Sequence, residues 1–250
     1  MATRDEVMRE LELAPVWRLR RTPWHLVLAP ADRAIAAPPV EPPDAPSQTR
    51  TQHDERRARI ASLSFDVLVE DIAGCRACGL CTTRNSTVPG TGAVDARWMF
   101  VGEAPGADED ARGEPFVGAA GQLLDNMLAA LRLSRGGDVF IANVLKCRPP
   151  NNRTPAPLEI AACRPYLDRQ IELVAPRLIV ALGKSAACAL LDVDASVASL
   201  RRRVHRYRGT PLIVTYHPAY LLRSPADKAK AWEDLLFARR TLRESASDTG

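Results

Sequence analysis

The first residues in the chain that could do chemistry are cysteines. Cys75, Cys78 and Cys81 form a C-x2-C-x2-C run, and Cys147 and Cys163 follow far downstream. Thiolates at this spacing suit zinc, an iron–sulfur cluster or redox chemistry. Cys75 and Cys78 with the two distant cysteines would supply four ligands and would tie two separate parts of the chain together. Four unrelated buried thiols are the alternative interpretation, and Cys81 could compete as a ligand.

A second candidate is the segment 102–121, which carries five glycines and two prolines in twenty residues. That density of turn-forming residues predicts a shaped loop rather than a helix or strand. Its acidic residues include Glu103 and Glu109, and a solvated acidic loop is the alternative to a functional one. The segment contains neither G-x-x-x-x-G-K-[ST] nor G-x-G-x-x-G, so it matches neither phosphate-binding fingerprint.

Short apolar runs that alternate with helical patterns must position these residues. Strands are expected at 98–101, 139–142, 178–182 and 212–216, and helices at 57–72, 123–131, 157–174, 185–191 and 226–243. Continuous apolar strands separated by helices are typical of a parallel sheet covered on both faces. We therefore expect an α/β fold with three α/β/α layers around a central four-stranded parallel sheet.

Polar or flexible residues stand where each expected strand ends. These residues are Glu103, Asn143, Gly183 and His217. Ligands of open parallel sheets bind beyond the carboxyl ends of the strands, so this rim is the expected site. His217 in HPAYLLR could donate a hydrogen bond to a developing oxyanion as a neutral imidazole, although a lone histidine is often structural.

A basic run at residues 200–208 contains five arginines and could neutralise nucleic-acid phosphates. The candidates for DNA binding are Arg201, Arg203 and Arg206, together with Arg223 just after the HPAYLL turn. A solvated charged face is the alternative interpretation.

The chain divides into four predicted parts. Residues 1–29 form a short N-terminal arm whose partner is unknown, and residues 30–55 form a linker, since positions 30–46 alone hold six prolines. The main domain is expected at 56–243 and a C-terminal tail at 244–250.

Composition limits the possible classes of protein. The chain has 250 residues, 46% of them hydrophobic, and a formal net charge of +4, which is ordinary for a globular protein. Its apolar runs are too short to cross a membrane, and the first residues show no secretory h-region. A cytoplasmic monomer is expected, in which cysteines are metal ligands or buried thiols rather than disulfides; Cys188 fits an apolar helix face.

The ordered motifs GEAPG, GEPFVGAAGQLL, NVLKCRPPNNRTP, LIVALG and HPAYLLR, with Cys163 between the third and fourth, span roughly residues 60–240. This constellation resembles the family 4 uracil-DNA glycosylases, enzymes of the uracil-DNA glycosylase superfamily that carry a [4Fe-4S] cluster. The resemblance implies that the protein hydrolyses the N-glycosidic bond of uracil flipped out of DNA, leaving an abasic site for base excision repair. The cluster ligands would be Cys75, Cys78, Cys147 and Cys163.

The resemblance also implies roles at the rim. Phe116 would stack on the extruded uracil, Asn143 would hydrogen-bond its polar edge, and His217 would bind the O2 oxygen as charge develops. Glu103 would help the water or the sugar cation, and Glu109 would be a second functional acid of the same loop.

The activity would be monofunctional and would proceed without a covalent intermediate. A sister group with a covalent histidine has a basic insert ending in His after the second strand, whereas residues 147–155 contain no His. The position after Glu103 is Ala104, which leaves open the group that activates the water. Two other functions are alternatives: an iron–sulfur DNA-binding module without catalysis, and a zinc-stabilised hydrolase of free nucleotides.

Overall fold

A computed structural model describes residues 47–247. Within them the strands are β1 (Thr91–Gly92), β2 (Trp98–Gly102), β3 (Val139–Asn143), β4 (Leu178–Leu182), β5 (His205–Tyr207) and β6 (Thr210–Thr215). They form one sheet in the order β1-β3-β2-β4-β6-β5. The four central strands, β3-β2-β4-β6, are parallel, which agrees with the expected parallel sheet.

Nine α-helices accompany the sheet within the described range. They are α1 (Ser47–Ala61), α2 (Phe65–Gly74), α3 (Ala107–Arg112), α4 (Ala119–Ala130), α5 (Pro157–Val174), α6 (Lys184–Leu191), α7 (Val197–Leu200), α8 (Pro218–Arg223) and α9 (Lys228–Ser247). Short 3-10 turns lie at Gly79–Thr82, Pro150–Asn152 and Pro225–Asp227. None of the helices described is long and apolar enough to cross a membrane.

Each central strand sends alternate side chains to opposite faces, and both faces are covered. In β2, Met99 and Val101 join a core formed with α5 and α6, whereas Trp98 and Phe100 join a second core formed with α4 and α9. Every residue of β2, β3 and β4 is buried, because helices cover both faces of the sheet. The expected three-layer α/β/α architecture is confirmed.

The sheet has six strands rather than the four expected. The additional ones, β1 and β5, run antiparallel to β3 and β6 and close the two edges. They contain two and three residues, respectively, and are only partly buried. Strands this short have too few residues for an alternating pattern, so they left no periodic signal in the sequence.

The first helices of the described range also differ from the expectation. The single helix predicted at 57–72 is wrong, since α1 ends at Ala61 and α2 begins at Phe65, with extended backbone at Ser64. Helix α1 begins at Ser47, within the segment predicted to be a linker up to residue 55. At the other end α9 continues past residue 243 to Ser247. The predicted arm at 1–29 and the proline-rich 30–46 lie outside the described residues.

Candidate active site

The carboxyl ends of the central strands meet at a cavity of about 440 Å³. The register pairs Gly102 at the end of β2 with Asn143 at the end of β3, and Leu182 of β4 with Thr215 of β6, two residues before His217. Six of the residues expected at the site line this cavity: Glu103, Glu109, Phe116, Asn143, His217 and Arg223.

Asn143 presents a polar group with an unmet hydrogen-bonding requirement. The residue is 2% exposed, and its Oδ1 atom is buried without a hydrogen-bond partner in the described structure. A buried acceptor without a donor costs about 1–3 kcal/mol, so it is rarely left that way without a reason. Its position in the cavity lining means that a ligand bearing an N–H group could satisfy it.

The ring of Phe116 forms an apolar surface beside that amide. Phe116 is 5% exposed, and its ring lies against the His217 ring with centroids 5.5 Å apart and an interplanar angle of 29°. Its backbone has φ of 55°, which a bulky residue adopts only when its surroundings impose it. Arg135 contributes to that constraint by donating to the carbonyl oxygens of Pro115 and Phe116.

Gly102 permits the close approach of these two side chains. A Cβ atom at this position would lie 2.3 Å from Asn143 Oδ1 and 2.7 Å from Phe116 Cζ. Both distances are well inside van der Waals contact, so only glycine fits without displacing the amide or the ring.

His217 is held as a neutral hydrogen-bond donor. It is the N-cap of α8, where its Nδ1 atom accepts a hydrogen bond from the backbone N–H of Ala219 at 3.1 Å. An accepting Nδ1 places the imidazole hydrogen on Nε2. Burial, assisted by the positive charge of Arg223, lowers the pKa of His217 to about 4. The imidazole therefore stays uncharged near neutral pH and can donate through Nε2.

The segment 102–121 is partly helical, contrary to the expectation of a loop without helix or strand. Helix α3 forms at Ala107–Arg112, and the acids in its first turn suit the positive end of the helix dipole. Glu109 Oε2 accepts from the N–H of Gly106 at 3.0 Å, and Oε1 accepts from Val117 and Gly118 at 3.0 and 3.3 Å. Glu109 therefore organises the backbone on both sides of Phe116.

Two acidic residues of this segment differ in their surroundings. Asp110 is 1% exposed and accepts from the backbone N–H groups of Asn85 and Ser86 and from the Asn85 side chain. It thus fixes the preceding segment on α3, a role that sequence reasoning missed because the partner lies 25 residues upstream. Glu103 lines the cavity, and no side chain described at 53–244 forms an ion pair with it.

The arginines of the basic run at 200–208 lie in different surroundings. Arg201 is only 10% exposed in its side chain, where it forms an ion pair with buried Asp234 at 3.0 Å. This pairing argues against the DNA-binding role expected for Arg201. Arg206 pairs with Pro211 in the sheet and donates to the Gly209 carbonyl. It therefore lies near the amino end of β6, at the opposite end of the strand from His217. Arg203 is exposed, and Arg223 alone of the four expected arginines lines the cavity.

A second cavity brings the distant cysteines together. Its lining includes Cys75, Cys78, Cys81, Cys147 and Cys163. Cys188 lies apart on α6, where its thiol donates to the Ala195 carbonyl at 3.4 Å. No three or more His, Cys, Asp or Glu side chains in the described range form a group that could hold a single metal ion.

N–H groups point at the sulfurs of this cavity. Arg84 donates to Cys147 Sγ at 3.1 Å, and the backbone N–H of Lys146 donates to Cys163 Sγ at 3.3 Å. Arg56 approaches Cys75 Sγ at 3.7 Å. Burial raises the pKa of Cys163 to about 12, so an unbound thiol there stays protonated. N–H donors aimed at buried sulfur are the environment in which protein-bound iron–sulfur clusters are held.

Lys146 separates the two cavities and was not identified from the sequence. It is 1% exposed, and burial lowers its pKa to about 8. Its Nζ atom donates to the backbone carbonyl of Asn143 at 2.7 Å. The signal that could have revealed it is a lone lysine that continues the apolar run of β3 and stands directly before a cysteine.

Comparison with known proteins places the chain in a family. Residues 89–236 match the model of the uracil DNA glycosylase superfamily. The type-4 uracil-DNA glycosylase of Archaeoglobus fulgidus is 48% identical over 65% of this chain and 85% of its own length. The Pyrobaculum aerophilum type-4 enzyme is 48% identical over 69% and 92%, and that of Thermotoga maritima is 44% identical over 66% and 87%. On these matches the chain belongs to the type-4 uracil-DNA glycosylases of the uracil-DNA glycosylase superfamily.

Proposed function

We propose that the protein removes uracil from DNA by hydrolysing the N-glycosidic bond, leaving an abasic site for base excision repair. Its type-4 relatives carry this activity in their names. The observation that carries the proposal is the buried, unpartnered Asn143 Oδ1 in a cavity that also contains the Phe116 and His217 rings. A planar base with an N–H beside a carbonyl would satisfy this arrangement.

Asn143 would select uracil by its hydrogen-bonding edge. The amide can accept from the ring N–H of uracil and donate to the neighbouring carbonyl. Cytosine presents an amino donor and an unprotonated ring nitrogen there, so both bonds would fail. Phe116 would stack on the flipped base and contribute about 1–3 kcal/mol regardless of base identity. Stacking would supply affinity, and Asn143 would supply selectivity.

His217 would stabilise the departing base. Cleavage leaves negative charge on uracil and positive charge on the sugar. A neutral Nε2–H donor can bind the uracil O2 oxygen more strongly as that charge develops. The pKa of about 4 supports this role, because the ring needs no proton transfer to act as a donor near neutral pH.

The two carboxylates of the catalytic loop would act differently. Glu103, which lines the cavity, would stabilise the sugar cation or orient the attacking water. Glu109 would act as a positioning residue rather than a second reacting acid, since its oxygens are engaged by backbone N–H groups on both sides of Phe116. Arg223 would contact a DNA phosphate at the cavity mouth.

The cysteine cavity would hold a [4Fe-4S] cluster through four of its cysteines, which are Cys75, Cys78, Cys147 and Cys163. The thiols that line this cavity and the N–H donors aimed at two of their sulfurs fit such a group. When bound, the cluster would supply structural cross-linking and no electron to the hydrolysis. Cys81 lines the same cavity and remains the competing ligand.

The decisive experiment is incubation with a uracil-containing oligonucleotide, followed by alkaline cleavage at abasic sites. We expect strand breaks at uracil and none in matched oligonucleotides with thymine or cytosine. Denaturing gels should show no protein–DNA adduct. Binding of the oligonucleotide without cleavage would favour a binding module, and colourless purified protein with bound zinc would favour the zinc hydrolase.

A further inference from the structure

Lys146 carries a buried charge that neither base recognition nor cluster ligation accounts for. Lysine is almost never fully buried unless it is paired. Lys184 and Lys230 form ion pairs with aspartates, whereas no carboxylate among the side chains that the structure describes, at 53–244, forms one with Lys146. Removing a charge from water without an opposite charge is strongly unfavourable, so its counter-charge must come from other groups.

The cysteine cavity supplies the groups that can balance this ammonium. Lys146 lines that cavity, and its backbone N–H donates to Cys163 Sγ at 3.3 Å. The next residue in the chain is Cys147, which lines the same cavity. Cysteines bound in a cluster are thiolates, so they would present negative charge to the buried ammonium.

The other end of the interaction is the base-recognition residue. Lys146 Nζ donates to the main-chain oxygen of Asn143 at 2.7 Å, in a buried environment. This bond lies where β3 ends, and its acceptor belongs to the same residue whose side-chain Oδ1 atom has no partner. The neighbouring backbone is anchored as well, since Val144 and Leu145 donate to the carbonyls of Gly102 and Glu103.

We propose that Lys146 is a positioning residue that ties the cysteine cavity to Asn143, so that the thiolate charge on one side sets the placement of the uracil-reading amide on the other. The inference rests on the proposed function for the identity of the ligand. It predicts that a change at Lys146 alters both the cysteine site and base binding, although Lys146 touches no part of the base.

The test compares holoprotein of the wild type with Lys146→Met, which keeps the length and removes the charge and the donor. Lys184→Met is the matched control, because Lys184 is exposed and pairs with an exposed Asp194. Three quantities are measured: the dissociation constant of free uracil by equilibrium dialysis, the loss of visible cluster absorbance in air, and single-turnover cleavage against enzyme concentration.

We expect Lys146→Met to weaken uracil binding by about tenfold or more, as for one misplaced buried hydrogen-bonded pair. In single-turnover cleavage, the enzyme concentration at half-saturation should rise by a larger factor than the cleavage rate at saturation falls, since Asn143 binds the base before and during cleavage. Cluster absorbance should fade severalfold faster. Lys184→Met should match the wild type in all three.

Uracil affinity within twofold of the wild type in folded Lys146→Met would overturn the proposal, as would an unchanged rate of bleaching. If Lys146→Met does not fold, Lys146→Gln retains an N–H donor in a neutral, shorter side chain, and it should show the same changes to a smaller degree. A wild type that neither binds nor cleaves uracil refutes the proposed function itself. The bleaching comparison then decides whether Lys146 supports the cysteine site.

Discussion

Gly102→Ala should damage base recognition more than it damages the fold. The added Cβ would lie 2.3 Å from Asn143 Oδ1, whereas carbon–oxygen contacts at such a site are not seen below 3.0 Å. The amide must therefore move by at least about 0.7 Å, and the Phe116 ring, 2.7 Å away, must move as well. Displacements near 1 Å at a reacting centre cost on the order of 100-fold in rate. Overpacking a buried site costs about 1–3 kcal/mol of folding free energy.

Two measurements separate these effects. Single-turnover cleavage of a uracil oligonucleotide should show kcat/KM reduced by about 100-fold in Gly102→Ala. Urea unfolding should show a loss of no more than about 3 kcal/mol. Gly74→Ala is the control, because a Cβ there meets no atom within 4 Å. Cleavage by Gly102→Ala within threefold of the wild type would refute the role of Gly102 in setting the position of Asn143.

Four further predictions concern the same two sites. His217→Ala should lower the single-turnover cleavage rate by about 10²–10³ with DNA affinity nearly unchanged, and a loss of affinity alone would contradict its role as a donor to the leaving base. Asn143→Asp should lower the rate of uracil cleavage by more than about tenfold, and it should be assayed on cytosine as well. A wild-type rate of uracil cleavage would show that Asn143 does not recognise the base. Replacement of a cluster ligand by serine should cost the protein its colour, and this applies to Cys75, Cys78, Cys147 and Cys163. Cys188→Ser should keep the colour. Loss of colour in Cys81→Ser but not in Cys78→Ser would reassign the ligands. Finally, His217 is neutral when folded, with its pKa lowered from 6.5 to about 4, so its contribution to stability is complete above pH 6.5 and is lost as pH falls towards 4. That contribution is about 3 kcal/mol. The free energy of unfolding, measured in urea at a series of pH values across this range, should depend less on pH in His217→Asn than in the wild type.

Much of the layered architecture could be predicted from periodicity. The helix expected at 157–174 is present as α5 at Pro157–Val174, and all four expected strands form within two residues of their predicted ends. These elements are long or continuously apolar, so local sequence carries their signal. The break between α1 and α2 could not be read in this way, because apolar residues continue across it. Helix α3 was hidden by the glycines and prolines around it.

The sequence by itself determined the family, the parallel sheet and the set of residues at the strand ends, because ordered motifs and apolar runs are local properties of the chain. Only the tertiary structure decided which charged residues are free to act. Arg201 is held by Asp234, Glu109 is held by backbone N–H groups, and Lys146 lies between the two cavities. These assignments depend on partners far apart in the chain and on exclusion of water, and neither is encoded in spacing or composition. The role of a charged side chain depends on the partners and the solvent exposure that the fold gives it.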